Sequence, residues 1–290
     1  MRYSSYRLAV YNLLIGMCRG SPGLPRTIRQ MGYRDRWIAG TALGSSGAAA
    51  DPVLVLASTE YRHSVFVQVF SGKRVDLADL DRYSKVSAVH LREETPLTQD
   101  QTELYSVAVF GLEEHRESLR DGIAESRIRP TLLLRTREGL VIDANPFPKV
   151  GLANAFRPVL ALDWDSSPLG WIPYDHGSHP AEIAQAIIPR VVARATGGKQ
   201  RLEIAEICAE HPAWSVSTAS ARRKMRTRVT RVLATAAEHE FSDFFTVRDG
   251  ALRFSELARE AVRLPGSPTL KRMQRHQGAL LNRLRNSLGA

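Results

Sequence analysis

The chain has 290 residues, enough for one large domain or two, and its 43% hydrophobic content is that of a folding polypeptide. No uninterrupted apolar run approaches the roughly 20 residues that span a bilayer, so no membrane partner is expected. Lysine and arginine number 40 against 30 acidic residues, a net charge of +10 that favours a polyanionic partner.

In chain order, a helix is predicted from about Tyr3 to Met17, with Leu8, Val10, Leu13, Leu14 and Met17 on one face. Tyr6, Tyr11 and Asn12 interrupt the apolar run there, which reads better as this helix than as a signal peptide. A short helix over 26–31 and a small-residue loop, GTALGSSGAAADP, lead to two strands, Asp51–Ser58 and His63–Phe70, read as a buried hairpin. An amphipathic helix over 76–86 follows, then a strand at 104–112 and a hairpin over 131–144 turning at Glu138-Gly139. From Asn145 to Pro180 prolines recur, and this stretch reads as the link between domains.

Beyond the link the pattern becomes helical: 181–195, with a kink or break expected at Pro189, then 201–211, then a long helix over 218–239. Phe244–Phe254 reads as a two-stranded ribbon turning at Asp249-Gly250, and two helices close the chain. With the first part of that proline-rich stretch counted in the N-terminal domain, the domains are 1–160, an α/β mixed sheet with flanking helices, 161–180, a linker, and 181–290. Cys18 and Cys208 fit no metal or redox spacing and read as buried thiols in a reducing cytoplasm.

Charge is unevenly placed. From Thr218 to Ala290 there are fifteen basic and six acidic residues, a net of +9, so the rest of the chain is almost neutral. On the long helix Met225, Val229, Val232, Leu233 and Ala236 form an apolar face, leaving Arg223, Lys224, Thr227, Thr230 and Arg231 largely opposite. Arg222, Arg226 and Arg228 extend the basic surface, and no acid occurs from Thr218 to Ala237. A face of one sign repels itself and is relieved by phosphates. Helix, helix, turn, helix and hairpin in this order resemble a winged helix, the helix-turn-helix variant with a hairpin wing. The resemblance implies that the long helix enters the major groove of double-stranded DNA. Arg248 and Arg253 would then lie on the wing, and Lys271, Arg272 and Arg275 on a last basic helix.

The stretch 51–86 carries a second resemblance. Asp51 stands on one strand, Gln68-Val69-Phe70 ends the next, and Asp79 to Tyr83 follows on a helix. This layout is similar to the core of the PD-(D/E)XK nuclease superfamily, where a carboxylate, a spacer and a lysine close the second strand and many members carry Q-x-x-x-Y on the helix. The resemblance implies a restriction-endonuclease-like sheet and, in active members, Mg²⁺ held by carboxylates. Here the motif departs where chemistry is done, since Gln68 is neutral and Phe70 replaces the lysine. The expectation is therefore an inactive nuclease-like domain without a cofactor, in a DNA-recognition component of a multi-protein defence or mobile-element system. Its rival is a Mg²⁺-dependent endonuclease using Asp51, Gln68 and Lys73, with Glu60 or Asp79 supplying a missing carboxylate. A winged-helix transcriptional regulator is a third reading. Asp175, His176 and His179 lie close in sequence but have no strong zinc spacing, and no metal is expected there.

Overall fold

The computed structural model describes residues 6–21, 24–38, 53–70, 72, 77–156, 172–196, 198–260 and 268–286. They belong to two compact units, one formed by Ser5–Trp171 with Val216–Ala221, the other by Ile172–Ser215 with Arg222–Ala290.

The first unit begins with α1 (Tyr6–Arg19) and α2 (Thr27–Gln30), followed by β1 (Arg34–Trp37), β2 (Leu54–Ser58) and β3 (His63–Val69). Next come α3 (Leu77–Arg82), α4 (Ala88–Glu94), β4 (Leu104–Leu112), α5 (Arg116–Glu125), β5 (Thr131–Arg135), β6 (Leu140–Ala144) and α6 (Val150–Phe156). Its six strands lie in sequence order in one mixed sheet. β1, β2 and β3 are antiparallel neighbours, β3, β4 and β5 run parallel, and β6 returns antiparallel. Parallel neighbours need a crossover. Here α3 and α4 supply the first and α5 the second.

Alternation along the strands separates two cores. Val55, Ala57, Phe66, Val107, Val109, Leu132 and Leu134 pack with Leu80, Tyr83, Leu91, Leu119 and Ile123 from the crossover segments. Leu56, Val65, Val67, Ala108 and Phe110 instead meet Leu14 of α1, Phe147, and Leu152 and Phe156 of α6. The unit is thus α/β, with helices on both faces of the sheet.

Three sequence expectations change in this unit. β1 is absent from the pattern reading because its residues, RDRW, are mostly charged. Asp35 is nevertheless buried, and Arg19 of α1 reaches it at 3.0 Å, so a paired carboxylate takes an inward strand position that is ordinarily apolar. The 76–86 helix is shorter, with α3 ending at Arg82 and Tyr83–Lys85 tightening into a 3₁₀ turn. The linker reading of 145–180 also gives way at its start, since Phe147 and α6 belong to the sheet's core. Its tryptophans, Trp164 and Trp171, lie outside the described residues.

The second unit comprises α7 (Pro180–Thr196), β7 (Arg201–Glu203), α8 (Ile204–Ala209), α9 (Ala219–Glu238), β8 (Phe245–Arg248), β9 (Ala251–Phe254), α10 (Glu256–Glu260) and α11 (Pro268–Asn286). Tyr174, Ile183, Ile187, Ile188, Val229, Leu233, Phe241, Phe244 and Leu280 are among its buried core residues. Of the kink or break expected at Pro189, the break does not occur, since α7 runs through that residue. That proline is exposed, where water can satisfy the carbonyl it leaves unpaired. Likewise, 201–211 is not one helix. Arg201–Glu203 pair antiparallel with β9, giving a three-stranded sheet of order β7-β9-β8. Leu202 points into the core between exposed Arg201 and half-exposed Glu203, a two-residue period too short to stand out in the sequence. The β8–β9 turn forms at Asp249-Gly250, with φ of 51° and 73°, the left-handed pair that a tight hairpin requires.

Candidate nucleic-acid interface

α9 is positioned by its apolar stripe. Ala221, Met225, Val229, Val232, Leu233 and Ala236 are all buried. Thr218 caps its start, its hydroxyl accepting from the Ala221 amide at 3.2 Å. Arg223, Lys224, Arg226, Thr227 and Arg231 are exposed, and Glu238 is the helix's only acid. Arg223, Arg226 and Arg231 have no ion-pair partner among the described residues. These cations share one side of a helix whose other side is fastened to the core.

Two basic residues of α9 do a different job. Arg222 donates to the carbonyls of Trp214 and Ser215 at 3.0 and 3.4 Å and lies 5.6 Å from the centre of the Trp214 ring. Arg228 donates to the Ser178 carbonyl at 2.7 Å, while its buried Nε finds no partner. Both flank the apolar stripe, one on each side, and both are half-buried. They brace the helix to neighbouring loops. The sequence shows their charge but not these carbonyls.

On the sheet, Arg248 and Arg253 are exposed, with Arg253 3.9 Å from Asp249. Arg201 stands directly across from Arg253 in the ladder and is also exposed, paired with Glu203 at 2.7 Å. It extends the basic strip to the third strand and escapes the sequence reading because its segment looks helical. Of the last-helix residues, Lys271, Arg272 and Arg275 are all exposed. Arg272 is held by Asp243 at 2.6 Å and stacks 5.7 Å from the Phe244 ring centre, so part of its charge is already balanced.

In the first unit, Gln68 and Phe66 face the crossover helices. The Gln68 amide donates to the Tyr83 hydroxyl at 2.5 Å, and the Tyr83 carbonyl accepts from the Tyr105 hydroxyl at 2.6 Å. Phe70 is half-buried against the same core. Asp51 and Lys73 lie outside the described residues, as does the side chain of Asp79. Glu60 sits in the turn before β3, and from there the strand carries Gln68 to its far end, roughly 16 Å away. It cannot complete a site with Gln68. Thus the described residues of this corner offer Mg²⁺ one neutral carbonyl oxygen, with an aromatic ring in place of the lysine. That set does not fit an ion that prefers carboxylate oxygens.

The DHGSH loop is occupied with turn and cap bonds. Asp175 accepts from the Gly177 amide and the Ser178 hydroxyl at 2.9 and 3.0 Å. His179 and Glu182 form a capping arrangement, the His179 amide donating to the Glu182 carboxylate at 3.0 Å, with Pro180 opening α7. Two other histidines are buried and held neutral. Burial lowers both His63 and His211 to about 4. His211 donates from Nε2 to the Tyr174 carbonyl and accepts at Nδ1 from the Ala213 amide, which defines its tautomer. Burial also pushes the Cys208 thiol up to about 11, so it is no thiolate at neutral pH.

No protein family model, curated protein or solved structure matches this chain. Among the described residues, no helix is long and apolar enough to cross a membrane.

Proposed function

We propose that this chain binds double-stranded DNA through its C-terminal unit, acting as a winged helix, and that its N-terminal unit is a nuclease-like domain without cleavage activity of its own. The observation that carries the reading is the exposed face of α9, with Arg223, Lys224, Arg226 and Arg231 standing clear of the buried stripe. α8, the turn, α9 and the β8–β9 hairpin supply the element order of a winged helix, with Arg248 and Arg253 on the hairpin. For the N-terminal unit, support comes from the antiparallel β2–β3 pair, the helical crossover to a parallel β4, and the Gln68–Tyr83 hydrogen bond. A role as DNA-recognition component of a multi-protein defence or mobile-element system rests on the two resemblances together.

The test is a salt-titrated shift assay with duplex DNA. Arg223→Ala with Arg231→Ala keeps the fold, because both side chains are exposed, and weakens binding. Removing one phosphate-binding cation makes the slope of log K against log salt shallower by about one unit. Affinity and slope both unchanged would reject this face as the DNA site.

A further inference from the structure

A cavity of about 390 Å³ lies among α7, α9 and α11, along the flank of α9 where its buried stripe meets its outer basic side. Arg228, Arg231 and Arg283 line it together with Ile183, Val232 and Leu284. On α9 the lining residues Arg228, Arg231, Val232 and Thr235 recur at three- and four-residue steps, so one stripe of the helix forms a wall, which His239 continues just past its end. The cavity's size falls in the range that holds a small organic molecule.

Its chemistry is two-sided. Ile183, Val232 and Leu284 are nearly fully buried and make an apolar floor. Arg283 is balanced by Glu240 at 2.5 Å, but Arg231 has no acidic partner among the described residues. Arg228 spends one donor on the Ser178 carbonyl and keeps a buried Nε with none. An unmade hydrogen bond from a buried guanidinium is costly, and an anion's oxygens would satisfy it. A bare inorganic anion would leave the apolar floor wet, and a neutral hydrocarbon would leave the guanidinium unmet.

We propose that this cavity binds an amphipathic organic anion, an apolar body ending in one carboxylate or phosphate group, with Arg228 and Arg231 on the anionic end. Resting on the DNA reading above, a second consequence follows. Arg231 belongs both to the cavity wall and to the exposed basic side, so an anion held there takes one cation from the DNA phosphates. Ligand and DNA then weaken each other by the same factor.

Decanoate serves as the probe, with decanol, acetate and inorganic phosphate as comparisons, in calorimetry on the full chain. Decanoate is expected to bind, and the three comparisons to bind at least about tenfold more weakly, a difference equivalent to one charge-assisted hydrogen bond or its apolar counterpart. Thr235→Trp fills the cavity and abolishes decanoate binding while duplex DNA still binds. If that variant does not fold, Arg231→Gln is expected to weaken decanoate binding by about tenfold instead. Saturating decanoate makes the DNA salt slope of the unmodified chain shallower by about one unit. Equal binding of decanoate and decanol, or of decanoate and phosphate, overturns the site, as does decanoate binding that survives both variants. DNA binding indifferent to saturating decanoate overturns the coupling. Decanoate binding by a chain that binds no duplex at all keeps the site and overturns the DNA reading.

Discussion

His211 shows how far a single residue's role depends on what surrounds it. Its Nδ1 accepts a hydrogen bond, so protonation must break that bond inside a buried site. His63 is similarly enclosed, with the Tyr33 hydroxyl 2.7 Å from Nδ1 and the Ser106 hydroxyl 3.2 Å from Nε2. Both rings sit near pKa 4 in the folded chain against 6.5 ordinarily, so the unfolded chain binds more protons between those values. Their contribution is whole above pH 6.5 and is lost as pH falls toward 4, by about 3 kcal/mol for one fully depressed imidazole. In urea titrations, His211→Gln should lower the midpoint at pH 7.5 yet lose less than the unmodified chain between pH 7.5 and 4.5. Parallel pH profiles for the two would show that His211 is not an origin of the acid sensitivity. Tyr83→Phe removes the acceptor of the Gln68 amide and should cost about 1 kcal/mol in the same titration. An unchanged midpoint would mean that water replaces the tyrosine hydroxyl without loss.

Among the elements, β4 carries a glycine, Gly111, beneath Leu119 of α5. A side chain there would run into Cδ1 of Leu119, and the Gly111 carbonyl also takes the Tyr6 hydroxyl at 2.8 Å. Gly111→Ala is therefore expected to destabilise by about 1–3 kcal/mol, because the fully buried Leu119 side chain has to move aside in a packed core. The double variant with Leu119→Ala should cost less than the sum of the two single changes, because the clash disappears. Strict additivity would place the cost elsewhere. The hairpin turn is a different case: Gly250 has φ of 73° and open space around it, so Gly250→Ala costs only backbone strain, about 1 kcal/mol. If the hairpin contacts DNA as proposed, the same variant should leave the salt slope of binding unchanged, because Arg248 and Arg253 on its exposed side are kept.

For the whole molecule, the proposed function leaves one question, whether the mixed-sheet unit would cleave DNA that the basic helical unit holds. Gln68 is bonded to Tyr83, Phe70 packs on the core and Glu60 is at the wrong end of β3. The unmodified chain and Asp51→Ala are both expected to leave supercoiled, linear and single-stranded DNA intact with Mg²⁺ or Mn²⁺. Cleavage by the unmodified chain that disappears in Asp51→Ala would make it a nuclease with a rearranged site.

Much of this was legible from local pattern. The strands at 54–58, 63–69 and 104–112, the 131–144 hairpin, the Asp249-Gly250 turn and the two faces of α9 all follow from periodicity and turn chemistry, which act within a few residues. Tertiary structure decided what depends on distant partners. Asp35 becomes a strand residue because Arg19 neutralises it, and Arg201–Glu203 become a strand because β9 offers an open edge. Arg222 and Arg228 become braces because the Trp214 and Ser178 carbonyls stand where their guanidiniums reach. A sequence states how many charges a helix carries; which of them are already engaged depends on atoms that only folding brings within about 3 Å.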